Sequence, residues 1–240
     1  MLTPERIREL VSLQETLDYI FKEPALLNKA LTHKSYVNEK TETLKNNERF
    51  EFLGDSVLDL IVSDFLITAY PDFSEGKLSK IRAAVVNEGC LAGLARKLSL
   101  GKYLLLGKGE SQSGGRDKNS LLANAFEALV GALYQDGQLD EVKRVFMGEL
   151  KSEISKRIDS RLFQDFKSEL QEYTQTHLNC IPSYKVVGEA GPDHEKTFEV
   201  EVVFQGNPKG RGQGRNKKEA EQAAAREALN KFRNESNKVQ

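Results

Sequence analysis

The periodicity of apolar residues changes once along this chain, and that change limits the possible folds more than any other feature. From the N-terminus to about residue 158, apolar positions recur at three- and four-residue spacing and no long stretch alternates apolar with polar, so the region reads as a succession of helices without a substantial sheet. Turn chemistry at Glu23-Pro24, Tyr70-Pro71-Asp72, Gly101, the Gly- and Ser-rich run from Gly107 to Gly115, and Asp136-Gly137 divides it into roughly seven helices. Ile158 to Gln164 carries Asp159, Ser160 and Arg161 without an apolar face and reads as a linker. A helix over about Phe166 to Leu178 follows, then Tyr184-Lys185-Val186-Val187, then Phe198-Glu199-Val200-Glu201-Val202, which alternates like a half-buried strand, then a Gly-rich third segment. Lys217 to Phe232 is Ala-rich and helical, with Ala220, Ala223, Ala224 and Ala228 small enough to bring a helix close to a sheet. The expected fold class is therefore multidomain: an all-α domain over 1–158 and a small α-β-β-β-α domain over 162–232, with a polar, frayed end from Asn234 to Gln240.

A length of 240 residues is enough for a medium and a small domain, each with its own apolar core. Hydrophobic residues at 39% and charged residues at 30% exclude a disordered or membrane chain and suit a soluble globular one. The N-terminus, with Glu5, Arg6, Arg8 and Glu9 among scattered aliphatics, has neither the apolar core nor the cleavage site of a secretory signal, so a cytoplasmic location is expected. Cys90 and Cys180 lack any paired metal-binding spacing and are expected to be buried, reduced thiols. The net charge of −1 argues against a uniformly basic nucleic-acid binder, but the charges are unevenly distributed. Lys209, Arg211, Arg215, Lys217 and Lys218 form a positive run, whereas Glu48, Glu51 and Asp55 concentrate negative charge. One pole suits phosphate and the other suits metal.

The acidic pole lies in Asn47-Glu48-Arg49-Phe50-Glu51-Phe52-Leu53-Gly54-Asp55-Ser56-Val57-Leu58-Asp59-Leu60. On a helix the carboxylates of Glu51 and Asp55 stand one turn apart and Glu48 continues the same face. Like charges so placed repel by a few tenths of a kcal/mol, and Gly54 costs about 1 kcal/mol relative to alanine. A divalent cation taking hard oxygen ligands would compensate. The plainer reading is a solvated acidic face, with Gly54 serving close helix packing. In Asn119-Ser120-Leu121-Leu122-Ala123-Asn124-Ala125-Phe126-Glu127-Ala128-Leu129-Val130, an apolar stripe of Leu122, Ala125, Phe126 and Leu129 leaves Asn124 and Glu127 three apart elsewhere, so two helices could share one metal.

These two segments resemble the signature and the second metal-ligand helix of the ribonuclease III family. The resemblance extends to Leu26-Leu27-Asn28-Lys29-Ala30-Leu31-Thr32-His33-Lys34-Ser35-Tyr36 and Phe73-Ser74-Glu75-Gly76-Lys77-Leu78-Ser79, and covers nearly the whole chain. It implies that Glu51, Asp55, Glu127 and the residue at 124 are metal ligands, that Asp55 and Glu127 are catalytic, and that Glu48 and Glu75 are acidic neighbours in the cleft. The implied cofactor is Mg²⁺, with Mn²⁺ a plausible substitute. His33 has no obvious orienting carboxylate beside it in sequence and reads as structural, since metal-ion catalysis needs no histidine base. The family pattern has aspartate where this chain has Asn124. An amide oxygen can coordinate, but it brings no negative charge and cannot accept a proton from bound water. Impaired cleavage is the expected consequence.

Residues from about 162 to 232 resemble a double-stranded-RNA-binding domain in three contact regions. Ser168, Gln171, Glu172 and Gln175 form one polar helix face opposite Leu170, Tyr173 and Leu178, and short polar side chains suit a shallow minor groove read by shape. Gly191-Pro192-Asp193-His194 is a turn that could enter a neighbouring minor groove. In Gly212-Gln213-Gly214-Arg215-Asn216-Lys217-Lys218-Glu219-Ala220, Asn216 is a candidate N-cap, and Arg215, Lys217 and Lys218 would clamp phosphate at the helix N-terminus. The resemblance as a whole implies a homodimer holding a duplex of double-stranded RNA, each strand cut once by metal-assisted in-line attack of water. The implied products carry a 5′-phosphate and a short 3′ overhang, and the implied substrates are ribosomal-RNA precursors and messenger hairpins. The rival reading is a non-cleaving double-stranded-RNA-binding protein on the same scaffold. A helical scaffold without an RNA partner is a third, set apart by binding that ignores salt.

Overall fold

The structure is a computed structural model and describes residues 2–40, 45–159, 165–192 and 196–236, with side chains described to 158 and, in the last helix, to 232. The chain divides into two compact units, Met1–Asp159 and Ser160–Gln240.

In the first unit the described residues form helices α1 (Pro4–Leu17), α2 (Pro24–Ala30), α3 (Lys34–Asn38), α4 (Glu48–Ala69), α5 (Glu75–Val85), α6 (Glu88–Lys97), α7 (Leu100–Tyr103), α8 (Lys108–Gln112) and α9 (Asn119–Asp159), with a 3-10 turn at Gly115–Asp117. Caps set several starts: Thr3 Oγ1 accepts from Arg6 N–H (3.2 Å) and Asn87 Oδ1 from Cys90 N–H (2.9 Å). The described residues hold more helices than the roughly seven expected, because α3, α7 and α8 are too short to show a period in sequence. Gly101 does not break a helix but lies within α7; the break is Ser99, at φ 53°. The break expected at Asp136-Gly137 is present: α9 is two helical segments in continuation, and Gln138 between them leaves helical geometry at φ 65°. The end of α9 takes in Ile158 and Asp159, and the rest of the expected linker, 160–164, lies outside the described residues.

The core of this unit is the crossing of α4 and α9. Leu58, Ile61 and Val62 of α4 and Leu122, Ala125, Phe126 and Leu129 of α9 are buried, and Phe126 meets Phe146 edge to face at 5.2 Å. Gly54 and Gly131 set the approach: a Cβ on Gly54 would strike the Glu127 carbonyl oxygen, and one on Gly131 the Phe50 carbonyl oxygen. The acidic segment and the Asn124–Glu127 segment therefore meet where the two backbones are nearest. Gly54 does serve close packing, and that packing is what assembles the acids.

In the second unit, α10 (Phe166–Leu178), β1 (Ser183–Ala190), β2 (Thr197–Phe204), β3 (Asn207–Gly214) and α11 (Lys217–Ser236) follow the expected order. The antiparallel sheet runs β1-β2-β3, and Gln205 (φ 46°) and Gly206 (φ 85°) close the β2–β3 hairpin, as a two-residue turn with both φ positive requires. Leu170, Val200, Val202, Phe204, Ala224, Ala228 and Phe232 pack between sheet and helices. Gly210, Gly212 and Gly214 turn the core face of β3 into bare backbone, and a Cβ at each would collide with α11 at Ala228, Ala224 or Ala220. The expected fraying from Asn234 is corrected in part: α11 continues to Ser236, and 237–240 lie outside the described residues. Among the described residues no helix is long and apolar enough to cross a membrane. Cys90 is buried, Cys180 is half-buried rather than buried, and both are free.

Candidate active site and nucleic-acid interface

The acids stand at the start of α4, which is held by Asn47. This buried side chain does not cap the helix; its Nδ2 donates to the Ala30 carbonyl (3.2 Å), while its backbone N–H donates to Thr32 O (2.9 Å). Glu48 follows, with one carboxylate oxygen accepting from Lys34 Nζ (3.2 Å) and the other from Asn46 Nδ2 (2.9 Å). The Asn46 bond, then the Lys34 bond, holds the Glu48 carboxyl below the usual range. Burial pushes Glu51 up, with Glu48 and Asp55 adding to the rise, while Lys34 and a hydrogen bond from the Asn124 amide oppose it. On α9, burial and then the Asp55 and Glu51 charges push Glu127 up to about 7.

Glu48, Glu51, Asp55, Asn124 and Glu127 are thus brought together. Glu75 is not drawn in by any described contact; it opens α5, and its carboxylate accepts from Ser79 Oγ (2.7 Å) of the same helix. The all-oxygen donor set suits a hard divalent ion in type. It does not form a ready-made metal cluster: among the described residues no three His, Cys, Asp or Glu side chains lie close enough to hold one ion. The Asn124 amide stands among these acids as a hydrogen-bond donor to Glu51. His33 is a helix cap whose Nδ1 accepts from Ser35 N–H (3.2 Å), and burial pushes its pKa down. Lys34, Asn46 and Asn47 are not legible as site residues in the sequence. Their partners lie on other segments, and an unaligned sequence carries no signal for that pairing.

In the second unit, Ser168, Gln171, Glu172 and Gln175 form an exposed row on α10, opposite Leu170 and Thr174 in the core. Leu178 does not face the sheet as expected; it is 43% exposed, because the chain turns away at Asn179 (φ 47°). His194 and Asp193, the expected turn contact, lie outside the described residues. Asn216 caps α11, its Oδ1 accepting from Glu219 N–H (2.9 Å), and Glu219 in return accepts from Arg215 N–H (3.0 Å). Arg215, Lys217 and Lys218 are exposed at that terminus. Arg211 leaves the positive run: its guanidinium pairs with Glu201 and Glu199 on neighbouring β2.

A helical unit with an acidic crossing, followed by an α-β-β-β-α unit with an exposed cationic helix start, defines the class of nucleases that carry their own RNA-binding domain. A family model described as Ribonuclease-III-like matches residues 23–154, and one described as Double-stranded RNA binding motif matches 166–232. A curated Ribonuclease 3 from a Nitratiruptor species is 46% identical over 232 residues, 95% of this chain and 100% of that protein. Another, from Caldanaerobacter subterraneus subsp. tengcongensis, is 47% identical over 223 residues, 93% of this chain and 98% of that protein. A solved nuclease domain of ribonuclease III from Campylobacter jejuni superposes with a TM-score of 0.55 at 40% identity, covering 59% of this chain and 95% of that one. A second from the same organism gives a TM-score of 0.54 at 38% identity, covering 67% and 99%. The chain belongs to the ribonuclease III family and is an endonuclease of double-stranded RNA, of a family whose nuclease domain depends on metal. The non-cleaving rival is not favoured by these likenesses.

Proposed function

We propose that the α4–α9 crossing is the cleavage site, that Glu51, Asp55, Asn124 and Glu127 hold Mg²⁺ there with Mn²⁺ able to replace it, and that Asp55 and Glu127 are the catalytic acids. The observation that carries this reading is Glu127, pushed up to about 7 by burial beside Asp55 and Glu51, an arrangement that a cation would relieve. A divalent ion bound there supplies charge neutralisation for the phosphate and an acidified water. Glu51 and Asp55 contribute charge from α4, Glu127 contributes it from α9, and Asn124 contributes an oxygen without charge. Glu48 and Glu75 remain acidic neighbours.

In this reading the exposed row Ser168, Gln171, Glu172 and Gln175 meets a minor groove, His194 a neighbouring one, and Arg215, Asn216, Lys217 and Lys218 the phosphates between them. The working form is a homodimer. Support comes from an exposed apolar stripe on α4, with Phe52 78%, Leu60 54% and Ile67 64% exposed at near-heptad spacing. One of the Campylobacter jejuni structures is also described as showing flexibility in a region involved in dimer formation. The expected products are short duplexes with 5′-phosphates and 3′ overhangs, from structured ribosomal and messenger RNA in the cytoplasm.

A gel assay of a long RNA duplex with and without Mg²⁺, beside a binding titration, tests the site. Magnesium-dependent cleavage that rises in Asn124→Asp and vanishes in Glu127→Gln with binding retained is the expected result. If Asn124→Asp brings no increase, position 124 does not limit activity.

A further inference from the structure

Lys34 occupies a place that the mechanism leaves unused. It opens α3, whose cap His33 is fixed from two sides: His33 N–H donates to Leu105 O (3.0 Å), and Ser35 Oγ, 2.8 Å from His33 Nδ1, accepts from Gly107 N–H (2.9 Å). The preceding Thr32 carbonyl accepts from Asn47 N–H, the residue that leads into α4. Backbone contacts therefore set the spacing between Lys34 and Glu48. Lys34 Nζ reaches one Glu48 oxygen at 3.2 Å, Asn46 Nδ2 the other at 2.9 Å, and Asn46 Oδ1 accepts from Glu48 N–H at 3.3 Å. Both oxygens of Glu48 are engaged by protein donors. Glu51, by contrast, takes a hydrogen bond from the neutral Asn124 amide and feels the Lys34 charge without a described bond to it.

We propose that Lys34 is a positioning residue that, with Asn46, holds the Glu48 carboxylate at the rim of the cluster and off the ion, so that Glu51, Asp55 and Glu127 are the carboxylates the ion meets. This inference rests on the metal reading above. Oxygen sites gain affinity for hard divalent ions as ligand charge is added. Freeing Glu48 therefore adds a carboxylate to the ion's reach and tightens binding, the opposite of what general damage to the fold would do.

The test measures Mn²⁺ binding to the full chain without RNA, by the electron paramagnetic resonance signal of free Mn²⁺, in wild type, Lys34→Met, Lys34→Arg, Glu48→Ala and Lys34→Met/Glu48→Ala. Lys34→Met should tighten binding several-fold, Lys34→Arg should remain near wild type, and Lys34→Met should change nothing once Glu48 is alanine. Equal tightening in both backgrounds would mean that Lys34 acts only as a nearby charge and would overturn the proposal, as would unchanged or weaker binding in Lys34→Met. If Lys34→Met melts early, Lys34→Arg and Glu48→Ala decide: near-wild-type affinity in Lys34→Arg with no loss in Glu48→Ala supports a Glu48 held off the ion, and a loss in Glu48→Ala overturns it. An Asp55→Asn control separates the two levels. Binding that ignores Asp55 defeats the metal reading itself, whereas Asp55-dependent binding with additive Lys34 and Glu48 effects defeats only the role given to Lys34.

Discussion

Asn47 is 3% exposed and ties the first turn of α4 to the backbone of Ala30 and Thr32, so it carries the geometry of every acid that follows. Asn47→Ala leaves the Ala30 carbonyl without its donor and should cost about 1–3 kcal/mol, read as a lowered urea midpoint at unchanged m-value. Glu127 sets a pH dependence of known sign. Its folded-state pKa of about 7 lies above the ordinary glutamate range, so as pH rises towards 7 the folded chain keeps a proton that the unfolded chain has already released. Stability from this group is therefore present at low pH and is lost as pH rises through its folded pKa. A thermal melt at about pH 5 and about pH 8 should show the loss, Glu127→Gln should flatten it, and Mg²⁺ should protect most at the alkaline end, where no proton competes with it.

Among the elements, those with a long, regular apolar period are readable from sequence: α4, α10, β2 and α11 are found where spacing places them. The short helices α3, α7 and α8 are not, because contacts from distant residues hold them. Arg116, for example, donates to the carbonyls of Gly101 (2.7 Å) and Leu104 (2.9 Å) around the end of α7. The site is legible to the same degree: acids spaced four apart on one helix announce a shared face, whereas Lys34 and Asn47 act between segments whose pairing no local period records. The α4–α9 crossing can be tested as an element. Gly54→Ala places a methyl against the Glu127 carbonyl, so it should cost at least about 1–3 kcal/mol and weaken Mn²⁺ binding by parting Glu127 from Glu51 and Asp55. Circular dichroism melts run beside Mn²⁺ titration would show both losses, and undiminished metal binding would separate packing from site assembly.

At the scale of the whole molecule, a net charge of −1 hides two opposed poles, one on each unit, and an apolar stripe on α4 that the first unit leaves open to solvent. Phe52→Asp should shift sedimentation from dimer to monomer without lowering the melting point of the second unit, which has its own core. That second core also determines how the chain can diverge. On β3 the inward positions Gly210, Gly212 and Gly214 admit no side chain, while the alternate residues Lys209, Arg211 and Gln213 are exposed. Scanned codon by codon, this strand should show closed and open positions in strict alternation. Its inward face is frozen and its outward face is constrained only by the pairing of Arg211 with Glu199 and Glu201, so lineages of this chain can remodel the exposed side of the sheet while the seat of α11 stays unchanged.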